Sequence, residues 1–150
     1  MSRSAIVDKA VALFDQQYAC SQAILLAFAP DFNLDEQTAK LISSTFGGGM
    51  SRLREKCGVL TGSFMVLGLK YGNADPKDMD TKLAAYAKVQ ELNRQFEAAH
   101  GTTICQKLLD QCATEDEVLR REHHRILCRH LVADAAGMLY DMLNPMPEGI

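Results

Sequence analysis

Five cysteines, Cys20, Cys57, Cys105, Cys112 and Cys128, are the side chains of this chain best suited to chemistry. A thiolate is a nucleophile, a redox centre and a soft metal ligand. Five is a high count for 150 residues, and an odd one. No signal peptide is visible, because Arg3, Asp8 and Lys9 interrupt the start before an apolar stretch can form. A cytoplasmic, reducing compartment is therefore expected, where a structural disulfide framework is disfavoured. Metal binding, redox chemistry and buried inert thiols remain open. Cys57 draws attention first: it follows the run Gly47-Gly48-Gly49 and precedes Gly58 and Gly62. Six of the ten glycines lie between positions 47 and 68. Inside a helix each glycine costs about 1 kcal/mol relative to alanine, so close backbone approach or a site must justify them.

The elements that must position these thiols read as helices. Ala5, Ile6, Ala10, Leu13, Phe14 and Tyr18 recur at helical spacing and predict a first helix over 4–18, with Ser4 as its cap. A second, over 22–29, is expected to start at a Ser21 cap, placing Cys20 at its N-terminus. There the free N–H groups and the helix dipole favour a thiolate. Asp35 caps a third helix that stops at the glycine run. A fourth, expected over 52–71, is apolar nearly all round after Cys57 and is read as central. Its Gly58 and Gly62 share a face, so another helix can come near. A fifth covers 78–100. A short one from Ile104 to about Gln111, capped by Thr102 or Thr103, carries Cys105. The charged stretch 113–125 reads as a solvated loop or exposed helix, and a last helix over 126–143 carries Cys128. No strand pattern, repeat or domain boundary stands out. The expected architecture is all-α, one compact bundle of six or seven helices around the Cys57 helix.

Composition excludes several function classes. The chain is 47% hydrophobic and 23% charged with net charge −3, so no basic footprint points to nucleic acid. No apolar run is long enough to span a membrane. Arg52, Arg54 and Lys56 beside the glycines suggest a phosphate loop, but the Walker pattern and its preceding strand are missing. A tight inter-helix turn is the better reading, and such a turn can also offer backbone N–H groups to sulfur atoms. No CxxC is present, which excludes thioredoxin-like chemistry by adjacent thiols, and no CxxCH is present to attach c-type haem. His124 and Cys128 share a face at i, i+4 if the last helix starts early enough, but His123 and His124 read more simply as a solvated charged face.

The order Cys20, Phe46-Gly47-Gly48-Gly49, Cys57-Gly58-Val59-Leu60-Thr61-Gly62, Cys105 and Cys128 resembles the C_GCAxxG_C_C family of putative redox-active proteins. The resemblance spans roughly residues 18–140, with Val59 where the family motif has alanine. It implies that the shared cysteines are Cys20, Cys57, Cys105 and Cys128, as redox thiols or as metal ligands, with Cys112 an extra. Separations of 37, 48 and 23 residues suit ligands drawn from different helices rather than the paired spacing of zinc ribbons. A four-thiolate set suits zinc or an iron–sulfur cluster. Long-range disulfide pairs such as Cys20 with Cys57 are the other redox reading. Gly47, Gly48, Gly49, Gly58 and Gly62 would supply close backbone approach around a cofactor. Cys105 and Cys112, on one unbroken helix, would stand about 10 Å apart, too far for a disulfide. The expected partner is an unidentified redox protein, with self-association to a homo-oligomer as a further expectation. The competing class is a helical interaction module whose cysteines are small buried hydrophobes.

Overall fold

A computed structural model describes residues 1–112 and 114–147. The described residues form seven α-helices and no named strand. Helix α1 covers Arg3–Asp15 and α2 covers Cys20–Phe28, followed by a 3₁₀ turn at Ala29–Phe32. Helix α3 is Glu36–Ser43, α4 is Gly58–Tyr71 and α5 is Met79–His100. The short α6 is Cys105–Leu109, and α7 runs over Glu117–Leu143. The all-α expectation holds.

Side-chain caps start four of the helices, each satisfying a backbone N–H the helix cannot pair itself. Ser2, not Ser4, caps α1: its Oγ accepts from Ala5 N at 3.1 Å. Asp35 caps α3 through Thr38 N, as its position before the apolar run predicts. Asp78 caps α5 and Asp116 caps α7 in the same way. Helix α2 starts earlier than expected, at Cys20, with Ala19 at the cap position. The Ala19 N–H is taken by Gln22 Oε1 at 3.0 Å. Ser21 is therefore no cap: it is buried inside the first turn and its Oγ donates to Ser43 O at 2.7 Å. Neither Thr102 nor Thr103 caps α6, whose cap position is Ile104.

Two apolar helices make the centre. From Ser21 to Phe28 every residue of α2 except Gln22 is buried. Helix α4 lies against it, with Val59, Leu60, Val66 and Leu67 buried, while its C-terminal end emerges at Gly68 and Leu69. The centre is thus shared, where the sequence singled out α4. Gly62 sets the approach of this pair: a Cβ there would stand 2.7 Å from Ser21 O and 3.2 Å from Ile24 Cβ. Helix α1 packs on α2 and α7, and α5 and α7 close the other flank of α4. Phe28, Phe96, Leu92, Leu131 and Leu139 fill the space between them.

Of the two readings of the charged stretch, the exposed helix holds from Glu117, where α7 begins; residues 114–116 precede it, and Ala113 lies outside the described residues. Helix α7 begins nine residues earlier than the apolar periodicity shows, because its first turns touch water and carry no apolar pattern. Gly68 differs from the glycines of close approach. It is exposed in mid-helix, and apart from its chain neighbours and the helix's own backbone no atom lies within 4 Å of where a Cβ would go. Gly68→Ala is expected to raise stability by about 1 kcal/mol in urea unfolding, by removing backbone freedom from the unfolded chain. A neutral or destabilising result would contradict the open space around that carbon.

Candidate functional site

Helix α4 begins at Gly58, six residues later than the sequence suggests, and the reason lies in the chain before it. Gly48, Gly49, Met50, Ser51 and Arg52 all have φ between 54° and 68°, and Arg54 has φ 64°. The segment is a left-handed helical turn, closed by Met50 N–H to Phe46 O at 3.1 Å and Glu55 N–H to Gly49 O at 3.0 Å. Each non-glycine residue in that region costs about 1–2 kcal/mol. Such strain persists only where the surroundings enforce it, and it clusters at functional sites. A Cβ at Gly49 would lie 2.6 Å from Cys105 Cβ, and one at Gly47 would lie 2.7 Å from Ala19 Cβ. The glycine run is packed hard against the two segments that carry Cys105 and Cys20.

After the turn the chain is extended and pairs with the segment leading into α6. Lys56 and Ile104 form an isolated antiparallel bridge. Cys57 N–H donates to Thr103 O at 2.8 Å and Cys105 N–H donates to Glu55 O at 2.6 Å. Lys56 Nζ ties the pairing to α5 through Asn93 Oδ1 and Thr103 Oγ1, both at 2.8 Å. This clamp holds Cys57 and Cys105 on adjacent strand-like segments. Cys57 occupies the cap position of α4, and Cys105 is the first residue of α6. Cys20 is the first residue of α2. Its place is fixed by the Ser21–Ser43 bond and by Gln22, whose Nε2 donates to Lys40 O at 3.0 Å. A Cβ on Gly58 would strike the Cys20 sulfur, so the bare glycine next to Cys57 is what lets Cys20 come in. Cys128 arrives differently, from the middle of α7.

These four thiols line one cavity of about 50 Å³, together with Gly48, Arg54, Gly58, Val59, Leu108, Leu109 and Leu131. Cys57 and Cys105 are buried and Cys20 and Cys128 half-buried. All five cysteines are free thiols. Cys112 lies outside this cavity, in a neighbouring open cleft of about 690 Å³ with His124. Helix α6 ends at Leu109, so the unbroken helix expected to hold Cys105 and Cys112 apart does not exist. His124 and Cys128 do share α7, but they face different cavities. His123 is exposed.

Burial pushes the Cys57 thiol far up from its ordinary range, and a charge on Cys20 would push it further. Burial likewise drives Cys128 up to about 12, followed by the mutual repulsion with Cys20 and Cys105. Cys20 is raised by burial, against which the N–H groups of Gly48 and Ser21 act in the opposite direction. These repulsions tie all four sulfurs into one electrostatic cluster. Only one cation reaches a sulfur by a hydrogen bond among the described residues: Arg54 Nη1 donates to Cys105 Sγ at 3.6 Å. The sequence offered Arg54 as part of a phosphate loop. Its contact with a thiol depends on the left-handed turn, for which the only sequence signal is the triple glycine.

The donor chemistry fits a soft, thiolate-bound centre. Among the described residues, however, no three His, Cys, Asp or Glu side chains converge as they would around one metal ion. A single zinc held by three or more of these thiols does not fit the side chains as they stand. A cluster, whose irons take separate cysteines, has no need of one common point. The close glycines and the N–H groups at Gly48 and Ser21 suit the same reading, since hydrogen bonds to sulfur tune such centres.

No described helix is long and apolar enough to cross a membrane. No curated protein and no solved structure matches the chain. A family model does, over residues 18–142, and those bounds take in all four cavity cysteines together with the glycine turn and the strained segment after it. The chain belongs to the C_GCAxxG_C_C family, described as putative redox-active protein.

Proposed function

We propose that Cys20, Cys57, Cys105 and Cys128 are the ligands of an iron–sulfur cluster and that the protein carries electrons. The observation behind this is the meeting of four thiols, from four separate segments, in one cavity. Such a cluster supplies reversible one-electron chemistry when bound. The chain's own contribution is electrostatic and steric. Three of the thiols sit at helix starts, where unpaired N–H groups stabilise the negative charge of thiolate ligands. Val59, Leu108, Leu109 and Leu131 keep water from the sulfurs. Arg54 offsets part of the negative charge at Cys105. Ligand binding must displace protons from thiols that burial holds neutral, so assembly favours higher pH.

The test is purification without oxygen, followed by iron and sulfide analysis and visible spectroscopy. About two to four irons per chain are expected, with sulfide in similar amount and charge-transfer absorption. Cys57→Ser should lose the iron. Iron-free, colourless protein from cells competent in cluster assembly would defeat the reading. The Arg54–Cys105 contact favours a second one, thiol–disulfide exchange, in which Cys105 attacks and a neighbouring thiol resolves. Two-electron titration of the thiols with no iron present would select it.

A further inference from the structure

A further cavity of about 510 Å³ shares Cys20, Gly48, Arg54 and Cys128 with the thiol cavity. Cys20 and Cys128 line it together with Arg52 and Arg54. No carboxylate lines it. Neither arginine forms an ion pair among the described residues. The chain carries net charge −3, so a cleft of purely positive charge is a local construction. The left-handed turn builds it. Both arginines have positive φ, and both lie over the bare Cα of Gly48. A Cβ there would stand 3.0 Å from Arg52 Cγ and 3.7 Å from Arg54 Nη1. The turn therefore places two guanidinium groups, neither with a carboxylate partner, on the same cavity wall as two thiols, in a space of small-molecule size.

We propose that this cleft is the entrance for a small anionic reactant, a compact oxyanion or carboxylate, held by Arg52 and Arg54 against the Cys20 and Cys128 side of the thiol cavity. The proposal rests on the reading of the four cysteines as the reactive site, but not on a bound cluster. A guanidinium presents paired donors that match the planar oxygens of both ligand types. A cleft of one sign of charge also concentrates ions of the other sign. Arg54 has a double place: it touches Cys105 and lines this cleft, the thiol cavity and the cleft beyond it. An anion that draws Arg54 outward would uncover the sulfurs as it arrives.

The experiment uses metal-free, fully reduced protein and two alkylating reagents of similar size, anionic iodoacetate and neutral iodoacetamide. Their rates at Cys20 and Cys128 are read by peptide mass spectrometry, as a ratio relative to a free small thiol. That ratio is expected to favour iodoacetate by about tenfold. Arg52→Gln with Arg54→Gln should return it to the free-thiol value, and Arg52→Gln alone, at an exposed side chain, should lower it with the fold intact by circular dichroism. Arg121→Gln, an exposed arginine elsewhere, should leave it unchanged. Inorganic phosphate and acetate are added separately as competitors: protection by one, the other or both tells oxyanion from carboxylate preference. A wild-type ratio equal to that of the free thiol, indifference to Arg52→Gln, protection by neither competitor, or thiols that react with neither reagent would each overturn the proposal. Absence of iron in the purified protein would defeat the cluster reading and leave these results unaffected.

Discussion

Gly62→Ala should destabilise the protein by about 3 kcal/mol, although alanine is the better helix former. The added methyl would stand 2.7 Å from Ser21 O, 3.3 Å from Ser21 Cα and 3.2 Å from Ile24 Cβ. Two of those are backbone atoms of α2, and backbone cannot swing aside as a side-chain end can. Ser21 is further held by its bond to Ser43 O, so relief requires α2 and α4 to separate. Separation would open the packing of α2 on α4, whose Ile24, Val59 and Leu60 are all buried. It would also carry Cys20 away from Cys57, one residue before Ser21 and one before Gly58. Urea unfolding measures the stability loss, and iron content or thiol reactivity measures the change at the site. A wild-type midpoint in Gly62→Ala would mean that the two helices do not approach as described. The contrast with Gly68, on the same helix and with open space around it, separates packing from helix propensity.

The metal-free protein should lose stability steeply in alkali, through its thiols. An unfolded cysteine titrates near pH 8.5. In the folded protein Cys128 is pushed up to about 12 by burial first and by Cys20 second, and Cys20 and Cys57 are raised by burial as well. The folded state thus holds protons that the unfolded state has released. The sign follows: the contribution is fully present below the unfolded value and disappears as pH climbs toward the folded one. From Cys128 alone the loss should reach about 3 kcal/mol by pH 11, and the other buried thiols add to it. Denaturant unfolding under reducing conditions, repeated at several pH values, gives the slope. Lysines and tyrosines titrate in the same window, so the informative quantity is the difference from Cys128→Ala. If wild type and Cys128→Ala fell in parallel between neutral pH and pH 11, the thiol would not be the cause.

Much of this was legible in the residues. Apolar spacing located α1, α3 and α5, because each lays one face on a core and exposes the other to water. Asp35 and Asp78 announced two helix starts, since a short carboxylate can reach the next turn's N–H. The shared face of Gly58 and Gly62 signalled a close helix, and α2 is there. The misses have one physical character. Helix α7 begins in water, so its first turns carry no apolar pattern. Helix α4 begins late because the preceding residues are bent into a left-handed turn, which no residue after Gly49 favours by itself. Ser21 looked like a cap because it was judged by its own chain neighbours, yet its partner is Ser43, on another helix.

The same division runs through the five cysteines. Their number, their soft chemistry, the glycines around Cys57 and the kinship with the C_GCAxxG_C_C family all reside in the order of residues, as does the all-helical fold. Local sequence can say that Cys20 stands near a helix start, because that depends on the next few residues. It cannot say which thiols share a cavity. Cys20, Cys57, Cys105 and Cys128 meet, and Cys112 does not, only because α2, α4, α6 and α7 are packed at particular distances. Nor can local sequence place Arg54 on Cys105: the strain at residues 50–54 is tolerable only when the clamp between Lys56 and Ile104 and the crowding at Gly49 hold it. Chemistry of the side chains is a local property, and their convergence is a collective one, decided by the close packing that the whole chain must reach at once.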